Sequence, residues 1–345
     1  MSDCQWLAQV HAMGLLRAAF VPPERIRVLR DYQRLRQDHV RMGGQHIQHM
    51  QKSLDRMNLK IHEVLSQTVG LSGSRIIEAV LAGERDPEKL VALCDGQVLK
   101  HKRVAMLRAL QGHYKDEHLF ALRQAYEGWK FYQAQMAACD LEIHRLLEAL
   151  AATRPATASA ADNPKVARSR KKYGPHNAPE QDLGPLLHRI YGQDLSQLPG
   201  LTPYLVMLLL AEVGDDMSRW PTEKHFTAWL GLAPGSRQSG KRRRHQCTFI
   251  GPAGRMFCLA ARSLVRSKYL ALGGFLRRVR GRRGAQVAII AAARKLAVLF
   301  YLTVRRGWNY VEQGLEAYEK KYRQQSIQRL QAAAQVFGMQ LMPGP

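Results

Sequence analysis

The sequence predicts a mainly α protein, a long antiparallel coiled-coil hairpin followed by a helical domain, and three observations carry that reading. Apolar residues recur every three or four positions along two long segments of the first half. The apolar runs of the second half are rich in Ala and Leu, which cost little in a helix. No convincing period-two alternation, the pattern of a half-buried strand, appears in that half.

In the first segment Ile47, Met50, Leu54, Met57, Ile61 and Val64 stand 3, 4, 3, 4 and 3 residues apart, the seam of a coiled coil. The second carries Leu119, Leu122, Tyr126, Trp129, Met136, Ile143, Leu147 and Leu150, with polar Gln133 and Asp140 at two seam positions. Between them Gly70, Ser72-Gly73, Gly83 and Asp86-Pro87 predict short helices and turns that reverse the chain. The seam can close within one chain as a hairpin or between two chains as a homo-oligomer, because both bury the same stripe.

The hairpin is expected over 21–150. Small residues and prolines after Leu150, then a Lys/Arg-rich stretch, mark a linker over 151–182. A second domain is expected over 183–325 and a tail over 326–345. Its first helices read as Leu183 to Tyr191 and Thr202 to Val213, followed by the apolar stretch Phe226 to Leu232. Leu198-Pro199-Gly200-Leu201-Thr202-Pro203 before an apolar helix looks like half of a helix-hairpin-helix. There a glycine turn at a helix N-terminus aims backbone N–H groups at a phosphate. Any Pro-Gly turn before a helix shares that pattern, so Gly200 is a phosphate-contact candidate only.

The 345 residues are 46% hydrophobic and 23% charged, which excludes a disordered or collagen-like chain. Lys and Arg number 52 against 28 Asp and Glu, a formal net charge of +24. The excess is concentrated: from Lys224 through Val311 there is no Asp or Glu, yet there are 19 Lys and Arg. A solvated helical face mixes signs, so this region predicts a polyanion partner, with Lys241, Arg242, Arg243, Arg244, Arg255, Arg277, Arg278, Arg280, Arg282 and Arg283 as its contacts. Charge alone separates neither duplex from single strand nor DNA from RNA.

No cationic-then-apolar leader opens the chain, and the five cysteines are scattered without a CxxC pair, so a reducing cytoplasmic location is expected. The apolar run Ala285 to Val304 is long enough to span a membrane, but Arg294 and Lys295 at its centre predict a buried helix and no membrane partner. No Walker loop, HExxH, GxSxG or kinase signature is present. His46 and His49 lack nearby carboxylates, and His245, Cys247 and Cys258 form an equally weak metal pattern.

The informative segment is the loop Pro234 to Arg244. A serine that attacks a phosphodiester needs an unhindered hydroxyl and cations to stabilise the charged transition state. Ser239, Gly240 and Lys241 to Arg244 supply those parts in order. A loop that merely grips phosphate has the same composition.

At this point the residues resemble a family, the bridge-RNA-guided insertion-sequence transposases of the IS-one-ten class. The resemblance is carried by PGLTP…LLLAEVGD (Pro199 to Asp215), FTAWLGLAPGSRQSGKRRR (Phe226 to Arg244), GPAGR (Gly251 to Arg255) and AAARKLA (Ala291 to Ala297). Ser2-Asp3-Cys4-Gln5-Trp6, Gly14-Leu15-Leu16-Arg17 and Phe20-Val21-Pro22-Pro23 resemble the junction of the family's nuclease domain with its coiled coil. The resemblance implies a recombinase that cuts and rejoins DNA through a transient 5'-phosphoserine, guided by an element-encoded RNA. It implies Ser239 as nucleophile, with Ser236 as the fallback. It also implies Mg2+ held by a DEDD tetrad of a ribonuclease-H-like domain, with Asp3 matching the last carboxylate, and assigns 1–20 to the end of that domain. The preceding carboxylate of the motif would stand one position before Met1, so the other three are expected to be missing here. The alternative expectation is a noncatalytic, truncated DNA- and RNA-binding remnant that partners or inhibits the full-length transposase.

Overall fold

The computed structural model describes residues 2–16, 20–154, 177–233, 235–239, 242–246, 249–267 and 271–339, with the strand residues known by backbone alone. The chain is mainly α. In order come α1 (Asp3–Ala12), α2 (Glu24–Arg56), α3 (Ile61–Val64), α4 (Leu71–Leu81), α5 (Pro87–Ala92), α6 (Gly96–Ala109) and α7 (Asp116–Ala152). There follow α8 (Gly184–Tyr191), α9 (Pro203–Val213), α10 (Glu223–Trp229), β1 (Gly235–Ser239), β2 (Arg242–Gln246), α11 (Pro252–Ser263), α12 (Ala271–Arg283), α13 (Ala285–Arg306) and α14 (Trp308–Val336). The described residues divide into two compact units, one drawn from 31–145 and 173–181, the other from 1–30, 146–172 and 182–345.

In the first unit α2 and α7 run antiparallel: Arg36 meets Asp140, a Cβ on Gly43 would touch Tyr132 and Trp129, and a Cβ on Gly128 would collide with the His46 ring. Asp140, polar at an apolar register, is buried and accepts from Nε and Nη2 of the equally buried Arg36, whose Nη1 donates to the Asn177 carbonyl at 2.9 Å. A bidentate pair of this kind satisfies both charges and defines the register in which the helices meet.

The first apolar repeat is not one continuous helix, as its spacing predicts. α2 ends at Arg56, and Asn58 takes φ 58°, the left-handed conformation that Asn tolerates at a helix end. Met57, Ile61 and their neighbour Leu59 are still buried, but through a turn, in a core shared with Ile76, Ile77, Leu90, Val91, Met106, Leu122 and Tyr126. Two of the short helices between are capped by aspartates: Asp86 accepts from the Glu88 N–H, with Pro87 as the first helical residue of α5, and Asp95 accepts from the Gln97 N–H at the start of α6.

The second unit is built around α9, in which every residue from Leu205 to Val213 is buried. Thr202 caps it by accepting from the Leu205 N–H at 3.2 Å, and Pro203 supplies the first turn. Around it pack α8 and α11, and α11 in turn packs on α13. Phe226 of α10 is fully buried, 6.3 Å from the Phe257 ring and 6.2 Å from Phe300. Tyr301 donates its hydroxyl to the Trp220 carbonyl at 2.7 Å. Phe20 adds to this cluster, 4.9 Å from Trp220 and 5.4 Å from Trp229. Aromatic pairs of this geometry contribute roughly 0.5–1.5 kcal/mol each beyond area burial. α13 is long and apolar enough to cross a membrane, but its Ala292, Ala293, Leu296 and Phe300 are buried against other helices, while Lys295 is exposed over the Phe275 ring.

Candidate nucleic-acid interface

The segment expected as a loop holds two antiparallel strands, so the second half is helical but not free of strands. β1 and β2 pair antiparallel, Ser239 opposite Arg242, Gln238 opposite Arg243, Arg237 opposite Arg244 and Ser236 opposite His245. Strand alternation therefore assigns Arg237, Ser239, Arg242 and Arg244 to one face of the ribbon, and Ser236, Gln238, Arg243 and His245 to the other. This hairpin escapes sequence reading because its residues are almost all polar, so no apolar alternation announces it. Gly240, Lys241, Cys247 and Thr248 lie outside the described residues.

Two glycines hold the base of the ribbon. Gly231 ends α10 with φ +74°, and a Cβ there would stand 2.1 Å from the Phe249 carbonyl oxygen. Gly254, in the first turn of α11, approaches Leu230 so closely that a Cβ would stand 2.3 Å from its carbonyl oxygen. The chain leaving α10 and the chain entering α11 thus cross backbone to backbone, above the Phe226 and Phe257 rings that anchor both helices. Only glycine permits such an approach.

Gly200, the turn before α9, has φ +79°, and a Cβ on it would meet the Ala260 carbonyl oxygen at 2.7 Å and Ser263 Oγ at 3.0 Å. Packing against the end of α11 accounts for a glycine at this position.

The predicted cations fall into distinct environments. Arg255 is exposed on α11, with its guanidinium 5.9 Å from the centre of the Phe249 ring. Arg277 turns back to donate to the carbonyls of Ser267 and Val265, capping the 3-10 turn Leu264–Arg266. Arg278 lies over the Tyr322 ring at 5.8 Å. Arg280, Arg282 and Arg283 are exposed at the end of α12 and form no ion pair among the described residues.

Acids on the neighbouring LLLAEVGDD segment do not neutralise these arginines, because they are engaged elsewhere. Glu212 is 3.5 Å from Arg30, and Asp215 is bridged by Arg25 at 3.3 Å and by Arg154. Hydrogen bonds from the Ser218 hydroxyl and N–H hold the Asp216 carboxyl below the usual carboxylate range. The Tyr191 hydroxyl donates to the Gly214 carbonyl at 3.0 Å, and burial raises its pKa well above the ordinary tyrosine value.

Asp3 lies in the first turn of α1, a helix with no buried residue, capped by Ser2 and Gln5. It is exposed, and no group of three His, Cys, Asp or Glu able to hold a metal occurs among the described residues. Mg2+ needs several oxygen ligands in near-octahedral geometry, so the residues described here do not fit such a site. His46 packs its ring on Gly128, 6.0 Å from the His49 ring. Cys258 is free, and burial raises its thiol pKa.

Sequence reasoning passed over Phe249, which is 80% exposed at the base of the ribbon. The available signal was a large aromatic five residues after the end of the arginine run, just before the Gly251-Pro252 start of α11.

Residues 192–272 match the family described as Transposase IS116/IS110/IS902 family. The matched stretch contains α9, α10, both strands and α11, and it supports a DNA transposase or recombinase. Comparison with curated proteins finds no match.

Proposed function

We propose that this chain is a DNA transposase that cuts and rejoins DNA through a transient phosphoserine at Ser239, guided by an element-encoded RNA. The observation that carries the proposal is the ribbon register: Ser239 stands opposite Arg242, with Arg237 and Arg244 on the same face, inside the acid-free stretch and the matched family segment.

In the step this assigns, Ser239 Oγ attacks the phosphorus of a DNA phosphodiester. The P–Oγ bond forms, the P–O3' bond breaks, and the serine proton ends on the departing 3' oxygen. The 5' phosphate stays on the serine until a 3'-hydroxyl of a partner strand attacks it and releases Oγ. One phosphoester replaces another at each stage, so no nucleotide hydrolysis is required. The arginines stabilise the added charge on the pentacoordinate phosphorus. No step is routed through Mg2+, because Asp3 and its surroundings do not fit the ion.

Asp3, exposed and part of no group of three metal-ligating side chains among the described residues, favours a second reading, a noncatalytic DNA- and RNA-binding protein that pairs with an active transposase. Incubating the chain with the element's DNA ends, its RNA and Mg2+, then resolving products on a denaturing gel, separates the two. A protein–DNA adduct that Ser239→Ala abolishes and Ser236→Ala preserves supports the nucleophile. An adduct indifferent to Ser239→Ala overturns it, and DNA binding with no adduct supports the second reading.

A further inference from the structure

We infer that Phe249 is a stacking platform for an unpaired nucleobase, flanked by an arginine track along α11. The inference rests on the DNA-binding reading above and extends it from phosphate contact to base contact.

Phe249 is 80% exposed, although burying such a side chain is worth roughly 1.5–3 kcal/mol. It is nonetheless anchored. Its carbonyl packs on Gly231, and the next residue, Ile250, packs on Gly254, where a Cβ would stand 2.8 Å from Ile250 Cγ2. The ring is therefore held outward on a fixed backbone, with the Arg255 guanidinium at one face.

Arg255, Leu259, Arg262 and Arg266 stand 4, 3 and 4 residues apart and are all exposed, so they share one side of α11 and the turn that follows it. Three of the four are cations. That stripe and the absence of Asp and Glu from 224 to 311 call for a polyanion rather than an apolar protein face. An aromatic ring beside a cationic track is how sequence-tolerant single-strand sites work: bases stack on the ring, and the cations follow the phosphates. In an undistorted duplex each base face is covered by its stacked neighbours, and inserting the ring would cost the unstacking of a base step; the occupant inferred is therefore an unpaired base of DNA or of the guide RNA.

The test measures binding of the full chain to a fluorescent single-stranded oligothymidylate, an oligouridylate of equal length, and a duplex. Phe249→Ala is expected to weaken single-strand binding by about 5- to 150-fold, the equivalent of one stacked base. Duplex affinity and the salt slope should stay at wild-type values. Phe249→Trp should retain single-strand affinity, with its fluorescence quenched on binding. The strand that responds more strongly identifies the source of the base. If Phe249→Ala changes neither form, or weakens duplex and single strand alike, the platform is overturned while DNA binding itself stands. If the wild-type chain shows no salt-dependent binding to any of the three, both readings fall. Circular dichroism of each variant checks that the fold is retained, as expected for a side chain this exposed.

Discussion

Gly254 lies against the Leu230 carbonyl with no room for a side chain, and Gly231 lies the same way against Phe249. These crossings determine where the arginine ribbon leaves the helical core. Gly254→Ala must push two backbones apart and is expected to cost about 1–3 kcal/mol, read as a lowered Tm. Gly231→Ala adds left-handed strain of roughly 1–2 kcal/mol to its own clash and should be the more damaging. Both should reduce adduct formation by more than they reduce DNA affinity, because the basic residues remain while the ribbon moves. A Gly254→Ala protein with wild-type Tm would show that the two backbones leave room for a methyl group.

The arginines of α12 should separate into two classes. Arg277 caps carbonyls of the preceding turn, so Arg277→Ala is expected to destabilise by about 1 kcal/mol with little effect on the salt dependence of DNA binding. Replacing Arg280, Arg282 and Arg283 together by Ala should leave stability within about 0.5 kcal/mol. It should flatten the slope of log affinity against log salt by up to ~0.9 for each duplex phosphate that is no longer neutralised. Titrations at several salt concentrations decide this. A slope unchanged in the triple variant removes these residues from the interface.

The Arg36–Asp140 pair is buried on both sides. Asp140→Ala alone leaves a guanidinium without its carboxylate and should cost about 3–5 kcal/mol in urea denaturation. Replacing both, with Arg36→Met and Asp140→Leu, should recover most of that loss, since the penalty belongs to the stranded charge rather than to the missing attraction. A double variant as unstable as the single one would contradict this explanation.

Tyr126 provides a pH test. Burial, then its hydrogen bond to Glu78 at 2.7 Å, push its pKa up to about 12. The neutral phenol is the form the fold favours, so its contribution is complete below the ordinary tyrosine value near 10 and is lost as pH rises from there through about 12. Wild-type stability should therefore fall over that window more steeply than that of Tyr126→Phe, which cannot titrate. Coincident curves would rule out the shift.

Local patterns reached a good part of this protein. The capping pairs Asp86-Pro87 and Thr202-Pro203 start helices where their chemistry predicts, because a cap is decided within four residues. The acid-free run from Lys224 to Val311 is likewise a property of composition, and it marks the ribbon's arginines without any knowledge of how they pair. The repeat through Ile47 to Val64 correctly marked residues that need burial, yet not that Asn58 breaks the helix and buries the last of them through a turn. Periodicity reports which side chains avoid water and is silent about what covers them.

Composition and spacing thus determined on their own that the chain is mainly helical, strongly cationic in one contiguous region, and supplied there with a serine beside arginines. Only the tertiary structure decided that this serine sits on a paired ribbon, that Arg36 answers Asp140, and that Gly231 and Gly254 let two backbones cross. Those facts depend on residues distant in sequence meeting in space, and hydrogen-bond pairing, charge satisfaction and steric contact exist only once they have met.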